Sequence, residues 1–286
     1  MTWSRFGLAC AVGVMLAACN KAEQGVLQPQ PPLAGLRYVN LVTDTGAVDF
    51  VIVNFVGDAP LTRAATFRTG GAPYGVGTNF LPPHWPVEAG RDVQIRVFMN
   101  GTTPAIASQV VFDTTCTFAA NLNYTFFLYG NARGAAVHAR VTVDTLPAPA
   151  GVAFRVINLG GTAVGAVDVD VVAQAVVAPL TGTASFANVA VGAVTAYTNF
   201  AVSTTLKATA TAPATRTPFL FSANAPAGVR GDTLVNPVAG TNVAGTAISA
   251  VIVPASVVGS TAPQGGAFVS PTILFMIDRK PALTAP

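Results

Sequence analysis

Two blocks of this chain recur in the same order. Leu36-Arg37-Tyr38-Val39-Asn40-Leu41 returns as Phe154-Arg155-Val156-Ile157-Asn158-Leu159, and Gly46-Ala47-Val48-Asp49 returns as Gly165-Ala166-Val167-Asp168. The two intervals agree to within one residue. Matched blocks in one order predict two copies of one supersecondary design rather than a single large core. A looser third correspondence sets Tyr124–Asn131 against Thr217–Asn224. It implies a second copy that is shorter in its middle and regains length near its end.

Each copy is built of short β-type runs. Val93, Ile95, Val97 and Met99 alternate with polar residues and mark one face of a strand. Val137, Ala139, Val141 and Val143 do the same, which sends His138, Arg140 and Thr142 to the opposite face. Gly, Pro, Asn and Asp separate the runs, as at Gly70-Gly71, Gly160-Gly161 and Asn236-Pro237. No amphipathic helix stands out beyond the first residues. About seven short strands per copy is the pattern of an immunoglobulin-like sandwich. The fold class expected is therefore all-β, with two tandem β-sandwiches at residues 36–147 and 152–280. The linker Leu146–Gly151 is short and holds two prolines, which predicts end-to-end stacking with little freedom.

The first residues read as an address. Arg5, an apolar run from Phe6 to Leu16 and small residues before Cys19 have the layout of an export signal. The run is shorter than the roughly 20 residues a spanning helix needs. Leu16-Ala17-Ala18-Cys19 resembles a bacterial lipobox, in which cleavage precedes a Cys that is then acylated. The expectation is a signal peptide over 1–18, lipidation at Cys19 and a Pro/Gln-rich tether over 19–35. Asn20 after the Cys favours the outer membrane over inner-membrane retention. Acyl chains hold through about 0.8 kcal/mol per buried CH₂, so two or more anchor stably. Cys10 would leave with the signal and Cys19 would be acylated, so Cys116 stands alone and no disulfide within the mature chain is expected.

Arg-x-[Val/Ile]-Asn-Leu followed by Ala-Val-Asp, together with the strand at Asn123–Thr125, resembles the bacterial family called domain of unknown function 4397. Val238–Thr241, Ala250–Ser260 and Ile277–Pro281 are similar to segments of proteobacterial lipoproteins of that kind. The resemblance implies an exported or lipid-anchored protein with tandem copies. It implies no catalytic residues.

Composition narrows the chemistry. Charged residues make up 9% of the chain, against about 25% in an ordinary domain. Only three lysines are present and the basic residues do not cluster, which argues against nucleic acid as a partner. His84 and His138 are the two histidines, and no His/Cys/Asp spacing suits a metal. No Gly-x-Ser-x-Gly elbow is present. No cofactor is expected, and both histidines read as solvated. Asp49 and Asp168 hold equivalent places and read as strand-entry carboxylates that accept backbone N–H bonds or pair with Arg37 and Arg155. One loop concentrates aromatic residues, and Tyr74, His84 and Trp85 are the candidate binding residues there. The function expected is a non-catalytic interaction or structural module on a lipid anchor in the cell envelope, displayed to an envelope polymer or protein. The alternatives are a carbohydrate-binding module using Tyr74 and Trp85 as a stacking platform, and a hydrolase whose site joins a histidine to a carboxylate.

Overall fold

A computed structural model describes residues 31–54, 84–132, 137–213, 215–216, 219–257 and 269–284. Residues 33–286 form one compact unit. Its first half holds β1 (Leu33–Val42), β2 (Val48–Ile52), β3 (Trp85–Glu88), β4 (Asp92–Met99), a one-turn helix α1 (Pro104–Ala107), β5 (Val110–Thr117), β6 (Asn123–Gly130) and β7 (Val137–Val143). Its second half holds β8 (Val152–Asn158), a one-turn helix α2 (Gly161–Val164), β9 (Val167–Ala173), β10 (Phe186–Val189), β11 (Thr198–Phe200), β12 (Leu206–Thr211), β13 (Phe219–Asn224), β14 (Ala247–Val253) and β15 (Thr272–Arg279). The chain is nearly all β, as the alternating runs imply.

The two halves repeat one topology. In the first, a sheet in the order β3-β1-β6-β7 covers a sheet in the order β2-β4-β5. In the second, β11-β8-β14-β15 covers β10-β9-β12-β13. In each, the first strand runs parallel to the penultimate one, β1 with β6 and β8 with β14. The equivalent of β6 is therefore β14. The expected match of Tyr124–Asn131 to Thr217–Asn224 fails, because β13 lies in the outer sheet beside β12. The second copy is longer between its repeated blocks and its penultimate strand, not shorter.

Each half buries its own core. Leu36, Tyr38, Phe50, Ile95 and Phe126 fill the first, with Tyr38 stacked on Phe50 at 4.6 Å between centroids. Phe154, Val169, Ala208, Ile248 and Phe275 fill the second. A third core consists of Val39, Leu41 and Phe127 from the first half with Ile157, Val251, Leu274 and Met276 from the second. In a strand, alternate residues face opposite sides. Leu36 and Tyr38 thus point into the first sandwich, while Arg37, Val39 and Leu41 on the same strand point at the second half. The two inner sheets pack face to face, and the unit over residues 33–286 is a stack of four sheets. The short linker does not lead to end-to-end stacking, because both faces of β1, β6, β8 and β14 are apolar and each outward face needs a cover.

The same ends of the two sandwiches lie together. Near the start of β1, Arg37 meets Asp278 near the end of β15. Past the other end of β1, the carbonyl of Thr43 accepts the N–H of Val257, past the end of β14.

Candidate functional site

The densest cluster of ionisable groups among the described residues sits between the inner sheets. Arg37 on β1, Arg155 on β8, Asp144 just past β7 and Asp278 at the end of β15 are all buried. The cluster follows a pseudo-twofold pattern. Arg37 Nη2 reaches across to Asp278 Oδ1 at 2.5 Å and Arg155 Nη2 reaches back to Asp144 Oδ1 at 2.7 Å. Arg37 Nε donates to Thr125 Oγ1 and Arg155 Nε to Ser249 Oγ, each at 2.6 Å. Those hydroxyls donate in turn to Asp144 Oδ2 and Asp278 Oδ2, each at 2.5 Å. Arg37 Nη1 donates to the carbonyl of Ile277 and Arg155 Nη1 to that of Val143.

The symmetry breaks at the rim. His84 Nε2 lies 3.1 Å from Asp144 Oδ2, while the Tyr197 hydroxyl donates to Asp278 Oδ2 at 2.7 Å. Arg155 also lies over the Tyr197 ring, 4.7 Å from its centroid. Burial works to raise the Asp144 carboxyl. The hydrogen bond from His84, the charges of Arg37 and Arg155 and the Thr125 hydroxyl outweigh it and hold Asp144 below the usual carboxylate range. For Asp278, burial and the Asp144 charge prevail over Arg155, Arg37 and Ser249, so its carboxyl is raised. Burial and Asp278 also raise the Tyr197 phenol, which stays an O–H donor.

Arg37 and Arg155 therefore do not pair with Asp49 and Asp168 as expected. The arginines project from the inner sheets into the space between the sandwiches, whereas Asp49 on β2 and Asp168 on β9 lie on the outer sheets and face away from the cores. Asp49 accepts from the Asn100 side chain at 3.1 and 3.2 Å. Asp168 accepts the Asn188 N–H at 2.6 Å, which is the backbone half of the expectation. Asp170 faces the same way, accepts the Ser185 N–H and pairs with Arg216 at 2.8 Å.

The repeated asparagines are brackets. Asn40 Nδ2 donates to the Gly46 carbonyl at 2.6 Å and its Oδ1 accepts the Val42 N–H. Asn158 Nδ2 donates to the carbonyls of Gly165 and Val189, both at 2.9 Å, and its Oδ1 accepts the Gly160 N–H. Gly46 and Gly165 take φ of 73° and 72°, where a Cβ is disfavoured. In both copies the Asn thus closes the loop that leads into Gly-Ala-Val-Asp, across six residues in the first and seven in the second.

His84 is not a solvated histidine. Its side chain is 20% exposed and bonds a buried carboxylate across the fold. His138 is exposed, with its ring near Tyr129. Trp85 opens β3 and is 46% exposed. Tyr74 and Cys19 lie outside the described residues. Cys116 is partly buried against the first core, and burial raises its thiol. Thr142, read as outward, is buried beneath Asp144 Oδ1, whereas Val143 is exposed. Among the described residues no group of three His, Cys, Asp or Glu side chains could hold a metal ion. No helix among them is long and apolar enough to cross a membrane.

Sequence reasoning found both arginines but missed Asp144, Asp278, Thr125, Ser249 and Tyr197. One signal was available. Val143-Asp144 and Ile277-Asp278 each place a carboxylate directly after the last apolar run of a copy.

Residues 34–170 match the model of a family described as Domain of unknown function (DUF4397). The match spans the first sandwich and runs through β8 into β9, so it includes both arginines, both asparagines and Asp144. No curated protein matches the chain.

Proposed function

We propose that this chain is a lipid-anchored cell-envelope protein whose body is a non-catalytic structural or interaction module made of two copies of one family domain. One observation carries the non-catalytic part: the charged cluster is consumed internally. Each oxygen of Asp144 and Asp278 meets at least one side chain of the fold, and both arginines spend donors on carbonyls of the opposite half. A group so saturated has no lone pair aimed at a substrate. The strand order that the two halves share, with β10 an added edge strand in the second, supports the second family copy, over residues 152–280. Support for the anchor comes from the lipobox-like Leu16-Ala17-Ala18-Cys19 and the Pro/Gln-rich stretch behind it. Asn20 after the Cys favours the outer membrane, and an envelope polymer or protein is the proposed partner class.

Mass spectrometry of the membrane-extracted chain tests the anchor. The expected N-terminal peptide begins at Cys19 and carries acyl mass, and Cys19→Ser leaves a chain without it. An unmodified Cys19 peptide would remove the lipoprotein reading. Activity-based probes for serine and cysteine hydrolases test the module reading. Labelling that His84→Ala abolishes, with the fold intact, would point to an enzyme.

A further inference from the structure

The end of the body where β1 begins also carries an apolar tip. Segments 225–246 and 280–284 lie there, because the first enters β14, which runs parallel to β8, and the second leaves β15, which runs back. Within the first segment Val229 and Val238 pair in a hairpin, each donating its N–H to the other's carbonyl. At the turn, Asp232 Oδ1 accepts the N–H groups of Leu234 and Val235 at 2.7 and 2.8 Å. Thr284 pins the tail to the hairpin, donating from Oγ1 to the Asp232 carbonyl and from its N–H to Asn236 Oδ1. The turn is thus held in shape while it presents aliphatic side chains to solvent. Leu234 is 87% exposed and Leu283 74%, with Val229, Val235 and Val238 all more than half exposed. Beside the hairpin a shallow hollow of about 490 Å³ is lined by Val202, Pro237, Val243, Ala244, Pro281 and Ala282. Contiguous exposed aliphatic surface of this kind marks a contact site. These two segments hold the exposed Arg230 and Lys280 against one exposed carboxylate, Asp232, and the half-buried Arg279 adjoins them at the end of β15, so the tip carries net positive charge.

We infer that the Leu234 hairpin with its Leu283 tail docks on an anionic lipid surface and sets the body end-on to the membrane. The choice of lipid rests on the anchor reading proposed above. The tether from Cys19 joins the body at Leu33, which lies at this same end. Residues 19–32 span no more than about 50 Å fully extended, so the body stays within that distance of the bilayer and this end is the one the anchor holds. Aliphatic side chains at a turn, flanked by Arg and Lys, suit the boundary between acyl chains and anionic headgroups.

The test separates docking from anchoring. The full chain carrying Cys19→Ser is mixed with vesicles of phosphatidylethanolamine and phosphatidylglycerol, then sedimented and analysed by amide hydrogen exchange. Expected are salt-sensitive binding and vesicle-dependent protection of 229–238. Leu234→Asp with Val235→Asp should lower the bound fraction by about tenfold or more, as charges replace aliphatic groups at the interface. These exposed substitutions should leave the circular dichroism melt unchanged. If 229–238 gains no protection, even when the wild-type acylated chain is held on the same vesicles, the docking inference is overturned and the anchor reading stands. Protection that appears without vesicles and rises with protein concentration identifies a second copy as the occupant and also overturns it. An unacylated wild-type chain whose tip still docks would fail the anchor reading alone.

Discussion

Asp144 and Asp278 occupy equivalent positions, yet their carboxyls are driven in opposite directions. His84 accounts for part of the difference, since its hydrogen bond lowers Asp144, while the charge of Asp144 helps raise Asp278. Removing one member of a buried charged network strands its partners and costs about 3–5 kcal/mol. We expect Asp144→Ala to destabilise by that amount in urea titrations at neutral pH, and Asp278→Ala by less. The reverse order would contradict the assignment. The pH dependence has a definite sign. Asp144, lowered in the fold, contributes stability above its unfolded pKa of about 3.9, which is lost as pH falls through the folded value. Asp278, raised in the fold, contributes in the opposite sense and loses its contribution as pH rises through its folded value. Acid unfolding followed below about pH 4 should therefore be less steep in Asp144→Asn than in wild type. The exposed pair Arg96–Asp113 provides a contrast, with Arg96→Ala expected to cost only about 0–1 kcal/mol.

At the scale of elements, the repeated Asn and Gly-Ala-Val-Asp blocks mark where each first strand ends and its return strand begins. Asn40→Ala and Asn158→Ala each strand buried backbone groups, and a loss of about 1–3 kcal/mol is expected in thermal or urea unfolding. Asn40→Asp should be no milder, because it keeps the acceptor for Val42 and removes the donor to Gly46. A variant with unchanged stability would show that the bracket is incidental. These blocks were legible in the sequence because each role demands one residue type: an amide with both donor and acceptor, and a glycine at positive φ. The match of β6 to β14 was not legible. β14 is buried along its whole length, so its residues apart from Ser249 are constrained only to be small and apolar. The one mark Ala247–Val253 shares with Asn123–Gly130, the hydroxyl of Ser249 at the place of Thr125, is too short a signal to align them. The aromatic content of β13 drew the comparison to the wrong strand. The pairing of the arginines was hidden for a related reason. Strand periodicity places Arg37 and Arg155 on a face but does not say which sheet covers that face, and their partners lie more than 200 and about 10 residues away.

For the whole molecule, the face-to-face packing replaces a chain of two beads with one cooperative body. Ile157, Val251, Leu274 and Met276 lose their cover if the first half departs, and Arg155 loses Asp144. Neither sandwich can unfold without exposing apolar surface and an unpaired buried charge on the other, a coupling that favours a single transition. We expect tryptophan fluorescence of the chain from residue 19 onward, which reports Trp85 in the first half, and far-ultraviolet circular dichroism, which reports both halves, to give coincident urea midpoints. Proteolysis sharpens the point. The linker 146–151 carries no regular structure and is open to cutting, yet a cut there leaves the third core and the four-charge network intact. Nicked protein should therefore elute as one species in size-exclusion chromatography and separate only in denaturant. With Asp144→Ala, which removes the carboxylate that Arg37 and Arg155 share, the nicked halves should dissociate at lower urea than in wild type. Halves that part without denaturant after a single nick would show that the inner sheets do not hold each other, and the four-sheet stack would have to be abandoned.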